Sequence, residues 1–184
     1  MVARELLGKL VVSQIDDVET AGLIVETEAY VGPHDDASHA AARIGRTRRN
    51  ASMFGTPGIA YVYRIYGAHW CLNVVTDAEN FGAAVLIRAI QPVRGLDAMR
   101  RRRPAGQRLL RDTDLASGPG RLASALGVTG AFDAHPLQRS PLWVAAAQPV
   151  RDAQVRVGPR IGVTRAADLP LRFVVADSPW ISRR

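Results

Sequence analysis

The residues best suited to chemistry lie in segment 24–39, I-V-E-T-E-A-Y-V-G-P-H-D-D-A-S-H. Side chains alternate between the two faces of a strand, so Glu26, Glu28 and Tyr30 are predicted to share one face. Carboxylates near a strand end, with a histidine on the next turn, can perform general acid–base catalysis. A solvent-facing strand edge followed by a capped helix would carry the same residues, so the pattern leaves both interpretations open.

The same segment could instead hold a metal ion. Its carboxylate and imidazole side chains are Glu26, Glu28, His34, Asp35, Asp36 and His39. Oxygen and nitrogen ligands of these types bind divalent cations. A metal-dependent nucleic-acid hydrolase is therefore one alternative, and it predicts that a chelator abolishes activity.

Aromatic and β-branched residues alternate in segment 61–75, Y-V-Y-R-I-Y-G-A-H-W-C-L-N-V-V. The pattern predicts a hairpin with strands 59–66 and 69–76. Tyr66 directly precedes the turn, so its ring is expected either to pack or to enter a binding partner. Asn73 is a polar amide in an apolar strand, and a buried amide without a partner costs about 1–3 kcal/mol. A non-catalytic protein that kinks DNA with this hairpin is a second alternative.

Arginines occur in two different contexts. Arg88 interrupts the apolar strand A-A-V-L-I-R-A-I, where a buried guanidinium should pair with a carboxylate, and Glu28 or Glu26 is the natural partner. The turn-rich segment R-T-R-R-N-A-S-M-F-G-T-P-G begins with three arginines that suit phosphate contacts: Arg46, Arg48 and Arg49. A plain exposed loop of the same composition is equally compatible with this segment.

The composition favours a nucleic-acid partner. The 184 residues carry a net charge of +7, with a pI of about 10.6, and such a balance favours a polyanion. Acids dominate residues 10–42 and arginines dominate residues 43–64. The single cysteine, Cys71, excludes a disulfide framework and a cysteine-based zinc site. Without a membrane-spanning apolar run or a secretory signal, the protein is expected to be cytoplasmic.

The elements that must position these residues are mostly short strands. Helices are predicted at 2–7, 95–103 and 117–127, with a short one that begins at Asp35 or Asp36 and ends at Ala42. Beyond the hairpin, strands are predicted at 11–14, 22–30, 83–90, 142–146, 154–157, 160–163 and 171–176. The predicted fold is α+β and mostly antiparallel. It is one domain over residues 1–184, with a curved sheet, a protruding β-hairpin and surrounding short helices.

Eight ordered segments across nearly the whole chain carry a family resemblance. They are A-R-E-L-L-G-K near the start, residues 24–40, R-N-A-S-M-F with P-G-I-A-Y-V-Y-R-I-Y-G, C-L-N, L-I-R-A, S-G-P-G-R-L, R-I-G-V, and P-L-R-F with S-P-W-I-S. On these segments the chain resembles the alkyladenine (3-methyladenine) DNA glycosylase family. The order and spacing of the segments make the resemblance far more specific than any one of them alone.

The resemblance implies a monofunctional base-excision-repair enzyme that works without a cofactor or metal. It would flip damaged purines, above all alkylated ones, out of duplex DNA and hydrolyse the N-glycosidic bond. Whether it accepts deaminated and etheno purines is left open by the resemblance. Glu28 matches the general base that activates water, and Arg88 matches its partner in holding that water. Tyr66 matches the side chain that fills the gap left by the flipped nucleotide. The base pocket would be formed by Tyr30, His39, Tyr63 and Asn73, the last of which disfavours guanine.

Further expectations concern the surface and the type of reaction. Arg64 joins Arg46, Arg48 and Arg49 as a candidate contact to the DNA backbone. Tyr61 and Trp70 are assigned to the core or to support of the hairpin. A lyase step needs an amine, and the only lysine, Lys9, lies far in sequence from every site segment, so simple hydrolysis is expected. The protein is expected to act as a monomer on damaged double-stranded DNA, and to be nucleoid-associated if it is bacterial.

Overall fold

A computed structural model describes residues 1–103, 110–147 and 149–182. In these residues the chain forms a single small domain, in which antiparallel strands curl into a half-barrel and a few short helices pack against them. The α+β, mostly antiparallel fold predicted from the sequence is therefore confirmed. The domain boundary at residues 1 and 184 stays a prediction.

The longest strand lies at the centre of the sheet. The strands are β1 (Leu10–Ile15), β2 (Val18–Tyr30), β3 (Ala60–Ile65), β4 (His69–Thr76), β5 (Ala83–Arg94), β6 (Gln138–Arg139), β7 (Leu142–Ala145), β8 (Val155–Gly158) and β9 (Arg172–Val175). The helices are α1 (Val2–Glu5), α2 (Leu96–Arg102), α3 (Asp112–Leu115) and α4 (Pro119–Leu126). The sheet order is β3-β4-β5-β2-β1-β7-β6, and β9 pairs with both β2 and β8. Strand β2 thus has β5 along one edge, and β1 and β9 along the other.

Alternation along the strands separates two apolar clusters. Ala60 and Val62 of β3 belong to the larger cluster, which also contains the buried side chains of the four helices. Tyr61, between them, points to the opposite side of the sheet and packs in a smaller cluster there. Tyr63 contacts the same smaller cluster. This second side of the sheet, on which Tyr61 and Tyr63 lie, is called the site face below.

Two predicted elements are wrong. Residues 36–42 form turns rather than a helix, because Asp35 and Ser38 each capture the backbone N–H two residues further on, at 3.1 Å. Segment 160–163 is not a strand. Its backbone bends beside Arg160, whose guanidinium is buried against Asp35. In both places side-chain hydrogen bonds override the local pattern of apolar residues.

The other predicted elements are present with small shifts of their bounds. The hairpin is β3 and β4, and the helices predicted at 2–7, 95–103 and 117–127 are α1, α2 and α4. Pro104, the predicted stop of α2, lies outside the described residues. Helix α3 was not predicted. In the parts of the chain described, no helix is long and apolar enough to cross a membrane.

Candidate active site

A cavity of about 310 Å³ opens on the site face. Its lining includes the predicted pocket and catalytic side chains Tyr30, His39, Tyr63, Asn73 and Arg88. These residues come from the end of β2, the loop that follows it, and the strands β3, β4 and β5. Antiparallel pairing of these strands brings together side chains that are far apart in sequence.

Glu28 lies next to this cavity and is fully buried. Its Oε1 accepts a hydrogen bond from the backbone N–H of Ile161 at 2.7 Å. Its Oε2 accepts from the Tyr30 hydroxyl at 3.0 Å and from Arg88 Nη1 at 3.3 Å. A carboxylate has about four acceptor positions, so these three bonds leave one. All three donors belong to residues that line the cavity, whereas Glu28 itself does not line it, so the carboxylate lies directly behind the cavity wall.

Arg88 connects Glu28 to a second buried carboxylate, Glu26. Arg88 Nε donates to Glu26 Oε1 at 3.2 Å, so the predicted pairing of this arginine with a β2 carboxylate is confirmed with both candidates. Glu26 also accepts from Arg172 Nε at 2.8 Å, from Ser182 N at 2.6 Å and from Ser182 Oγ at 2.9 Å. Glu26 is thus held by four donors, three at Oε1 and one at Oε2, and two of the residues that supply them, Arg172 and Ser182, do not line the cavity.

Aromatic rings form one wall of the cavity. The rings of His39 and Tyr63 meet edge-on with centroids 4.6 Å apart, and His39 Nδ1 lies 2.7 Å from the Tyr61 hydroxyl oxygen. Burial raises the pKa of the hydroxyls of Tyr30, Tyr61 and Tyr63. Burial also lowers the pKa of His39, with a smaller contribution from the positive charge of Arg49. The rings that line the cavity are therefore uncharged at neutral pH.

Asn73 and Tyr61 lie side by side in this wall. Asn73 is buried, and its Nδ2 donates to the Tyr61 carbonyl oxygen at 2.9 Å, which supplies the partner that a buried amide requires. Tyr61 was assigned to the core or to hairpin support; its side chain is indeed buried, but it also lines the cavity. The sequence signal that indicates its place in the cavity wall is its spacing from Tyr63, two residues away on the same face of β3. Trp70 is partly buried and packs against the larger core cluster.

The loop that follows β8 forms another wall, which the sequence did not single out. Residues 161–165 all line the cavity. The preceding residue, Arg160, is buried and makes a bidentate ion pair with Asp35, in which Nη2 and Oδ1 are 2.8 Å apart. Burial alone would raise the pKa of Asp35, but hydrogen bonds and charge from Arg160 lower it. The sequence signal for this wall was the arginine that begins the motif R-I-G-V, because a buried arginine needs a carboxylate partner.

The hairpin turn presents Tyr66 to solvent. Its side chain is 90% exposed. Tyr66 and Gly67 have φ values of +52° and +66°, the combination that a type I′ turn requires. Left-handed backbone is uncommon for a tyrosine. Ile65, the preceding residue, lines the cavity, whereas Tyr66 does not.

The four arginines predicted to contact the DNA backbone are exposed: Arg46, Arg48, Arg49 and Arg64. Arg49 Nη2 donates to the Arg64 carbonyl oxygen at 3.0 Å, and the Arg64 guanidinium lies 5.7 Å from the Trp70 ring centroid. Within the described residues, none of the four forms a salt bridge with a carboxylate. Their charges remain available to a polyanion.

The alternative metal site is not assembled. Among residues 1–103, 110–147 and 149–182, no three His, Cys, Asp or Glu side chains are grouped so that they could hold a metal ion. Glu26 and Asp35 are bound by arginines, whereas His34 and Asp36 are exposed, and Asp36 lies 3.8 Å from Arg43 Nε. The metal-dependent hydrolase alternative therefore loses its ligand set.

Comparisons with known proteins identify the family of this chain. A sequence model of methylpurine-DNA glycosylase (MPG) matches residues 1–179. A relative from Methanoculleus marisnigri, named "Putative 3-methyladenine DNA glycosylase", is 48% identical over 186 residues, which cover 100% of this chain and 93% of the relative. A relative of the same name from Myxococcus xanthus is 49% identical over 186 residues, which cover 100% of this chain and 88% of the relative. The chain belongs to the methylpurine-DNA glycosylase family, and the resemblance seen in its sequence is confirmed.

Proposed function

We propose that the protein removes damaged purines from double-stranded DNA by hydrolysing the N-glycosidic bond. The observation that carries this proposal is the Glu28 carboxylate, which is buried beside a ring-lined cavity of about 310 Å³ and has one acceptor position left. A base inside a duplex cannot reach such a cavity. The target nucleotide must therefore be flipped out of the helix before the reaction.

In this mechanism a water molecule binds between Glu28 and Arg88. Glu28 takes a proton from the water while the water oxygen bonds to C1′ of the sugar, and the electrons of the C1′–N bond leave with the base. The carboxylate also stabilises the positive charge that develops on the sugar. Arg88 fixes the position of the water, because its guanidinium is itself held by Glu26 and Glu28.

The cavity wall suits an alkylated purine. Lesions such as 3-methyladenine carry positive charge, and the uncharged rings of Tyr30, His39 and Tyr63 offer them π faces. The same charge weakens the glycosidic bond, so the leaving base needs little protonation. The Asn73 amide, held in place by its bond to the Tyr61 backbone, would obstruct the exocyclic amino group of guanine.

The hairpin tip suits the task of holding the duplex open. Flipping costs a few kcal/mol, and an inserted side chain that fills the gap offsets part of that cost. Tyr66 presents a ring that is 90% exposed and follows directly on Ile65, which lines the cavity, and aromatic or apolar wedges enter the minor groove in this way. The exposed arginines around the hairpin would then contact phosphates: Arg46, Arg48, Arg49 and Arg64.

The position of Lys9, whose side chain carries an amine, favours hydrolysis without a lyase step. A lyase forms a Schiff base between an amine and the sugar. Lys9, the only lysine of the chain, lies between α1 and β1 and does not line the cavity. We propose that the enzyme acts as a monomer and requires no cofactor, because every group that the mechanism uses comes from one chain.

The test uses duplexes that carry one alkylated, deaminated or etheno purine, incubated with the protein in EDTA. We expect release of the free base and an abasic site that breaks only after alkali treatment. Absence of base release from every lesion would contradict the proposal. Strand cleavage that EDTA abolishes would favour the metal-dependent hydrolase, and tight binding without any product would favour the DNA-kinking protein. A strand break before alkali treatment would reveal a lyase step.

A further inference from the structure

A buried ion pair joins the two loops that flank the cavity. Asp35 lies in the loop after β2, and Arg160 begins the loop after β8. Both side chains have no exposed surface, so neither can contact DNA or a base directly. Their effect on the cavity must pass through the groups that they hold.

Asp35 organises its own loop. Its carboxylate accepts from the backbone N–H groups of Val31 at 3.3 Å and Ala37 at 3.1 Å, and from two nitrogens of Arg160. These four donors fill the acceptor positions of the carboxylate. Ala37 lines the cavity, so the carboxylate ties one wall of the cavity to Arg160.

Arg160 reaches both the aromatic wall and Glu28. Its Nη1 donates to the carbonyl oxygen of Ala29 at 2.9 Å, and its guanidinium carbon lies 4.8 Å from the centroid of the Tyr30 ring. The next backbone N–H in the chain, that of Ile161, donates to Glu28 Oε1 at 2.7 Å. Among the described residues, this N–H is the one donor that Oε1 has.

We propose that Asp35 and Arg160 form a positioning pair that orients the Glu28 carboxylate through the Ile161 N–H and holds loop 161–165 against the cavity. The inference rests on the proposed role of Glu28 in base release. Without the pair, Ile161 could move away and Oε1 would lose its donor. The carboxylate could then rotate about its Cγ–Cδ bond and present the wrong oxygen to the water.

A pair that merely stabilises the fold would have a different signature. Removal of one partner of a buried ion pair destabilises a protein whatever its location, because the other charge stays buried. General loss of stability affects all slowly exchanging amides together. A positioning role affects the Ile161 amide and the rate of base release more than it affects a core amide such as that of Leu72, which is fully buried on β4.

The main variant is Arg160→Lys, which keeps the charge but cannot form the bidentate pair. Asp35→Asn is the second variant, and Arg160→Lys decides the question if Asp35→Asn does not fold. Val11→Ala is the control, because Val11 is a fully buried core residue on β1 that does not line the cavity. Two quantities are measured for each: the single-turnover rate of base release, and hydrogen exchange of the Ile161 and Leu72 amides by NMR.

For Arg160→Lys we expect base release about a hundredfold slower, the effect of a displacement of about 1 Å at a reacting centre. We also expect Ile161 exchange to accelerate at least about tenfold more than Leu72 exchange. Equal acceleration of both amides, as in Val11→Ala, would overturn the proposal, as would an unchanged rate or a wild-type Ile161 amide that exchanges freely. If the wild type releases no base, the proposed function fails, while Ile161 exchange still reports whether the pair holds Glu28.

Discussion

The two ends of the Arg88 ion-pair network use the same residue type on the same strand. Glu26 and Glu28 are both fully buried on β2, and both accept a hydrogen bond from Arg88. At the Glu26 end, two arginines and Ser182 supply four donors, and of these residues only Arg88 lines the cavity. At the Glu28 end, three donors leave one position, and all of them belong to residues that line the cavity.

On the proposed mechanism, burial and charge do not distinguish the reactive carboxylate from the structural one, whereas the location of the donors does. Two of the three residues that bind Glu26 do not line the cavity, so Glu26 holds Arg88 and the residues after β9 in place. All three residues that bind Glu28 line the cavity, so they fix this carboxylate where the proposed flipped base would lie.

The largest expected effect is a difference in the rate of base release between variants of Glu28 and variants of Glu26. Glu28→Gln keeps the shape of the side chain but removes its basicity, so single-turnover base release should slow about a thousandfold, within the range of general-base catalysis. Glu26→Gln, the matched control on the same strand, should slow base release about tenfold, because it disturbs only the support of Arg88. Equal losses of base-release rate in the two variants would contradict the distinction between Glu26 and Glu28.

Stability should show the reverse order. Glu26→Ala removes the carboxylate that Arg172 Nε and Arg88 Nε bind, and loss of one partner in a buried pair costs about 3 kcal/mol or more. Glu28→Ala should cost less, because Arg88 keeps Glu26. Urea unfolding monitored by tryptophan fluorescence measures both free energies. A larger loss in Glu28→Ala would mean that Glu28 is the structural carboxylate.

A smaller effect is expected at the hairpin tip, which belongs to neither end of the network. Tyr66→Ala removes the exposed ring, and loss of one base–aromatic stack should weaken binding to a lesion duplex about tenfold. Tyr66→Phe retains the ring and should bind as the wild type does. Fluorescence anisotropy measures affinity, and the urea midpoint should not move. Unchanged affinity in Tyr66→Ala would mean that the site at Glu28 receives its base without help from this ring.

The smallest effect extends the comparison to surface arginines. Arg49 has no carboxylate partner among the described residues, whereas the exposed Arg94 pairs with Glu19 at 2.8 Å. The slope of log K against log salt is negative, and Arg49→Ala should reduce its magnitude by about 0.9, the value for one phosphate contact, whereas Arg94→Ala should leave it unchanged. The slope is measured by titrating lesion-free duplex at several salt concentrations. Equal slopes in the two variants would remove Arg49 from the DNA interface.

Strand periodicity made one half of the site predictable. The alternation of residues in β2 placed Glu28 and Tyr30 on one face, and the charge of Arg88 within an apolar strand required a carboxylate partner. Asn73 required a hydrogen-bond partner for the same kind of reason. These requirements are local, or arise between neighbouring strands, so the sequence contains them directly.

The other half depends on contacts that no local pattern contains. Asp35 and Arg160 are 125 residues apart, and their pairing bends a segment that reads as a strand into a loop. The Ile161 N–H in this loop donates to Glu28 Oε1 at 2.7 Å. The helix predicted up to Ala42 fails for a related reason, because side chains take up the backbone groups that a helix would use.

The central position of β2 has a consequence for heating. Strand β2 is hydrogen-bonded along both edges, so the carboxylates on it should stay in place until the whole domain unfolds. Strand β3 lies at the edge of the sheet, and the turn that presents Tyr66 extends beyond it. Such exposed tips open locally at small free-energy cost. As temperature rises, the affinity for DNA should therefore fall well before the arrangement of the Glu28 carboxylate is lost.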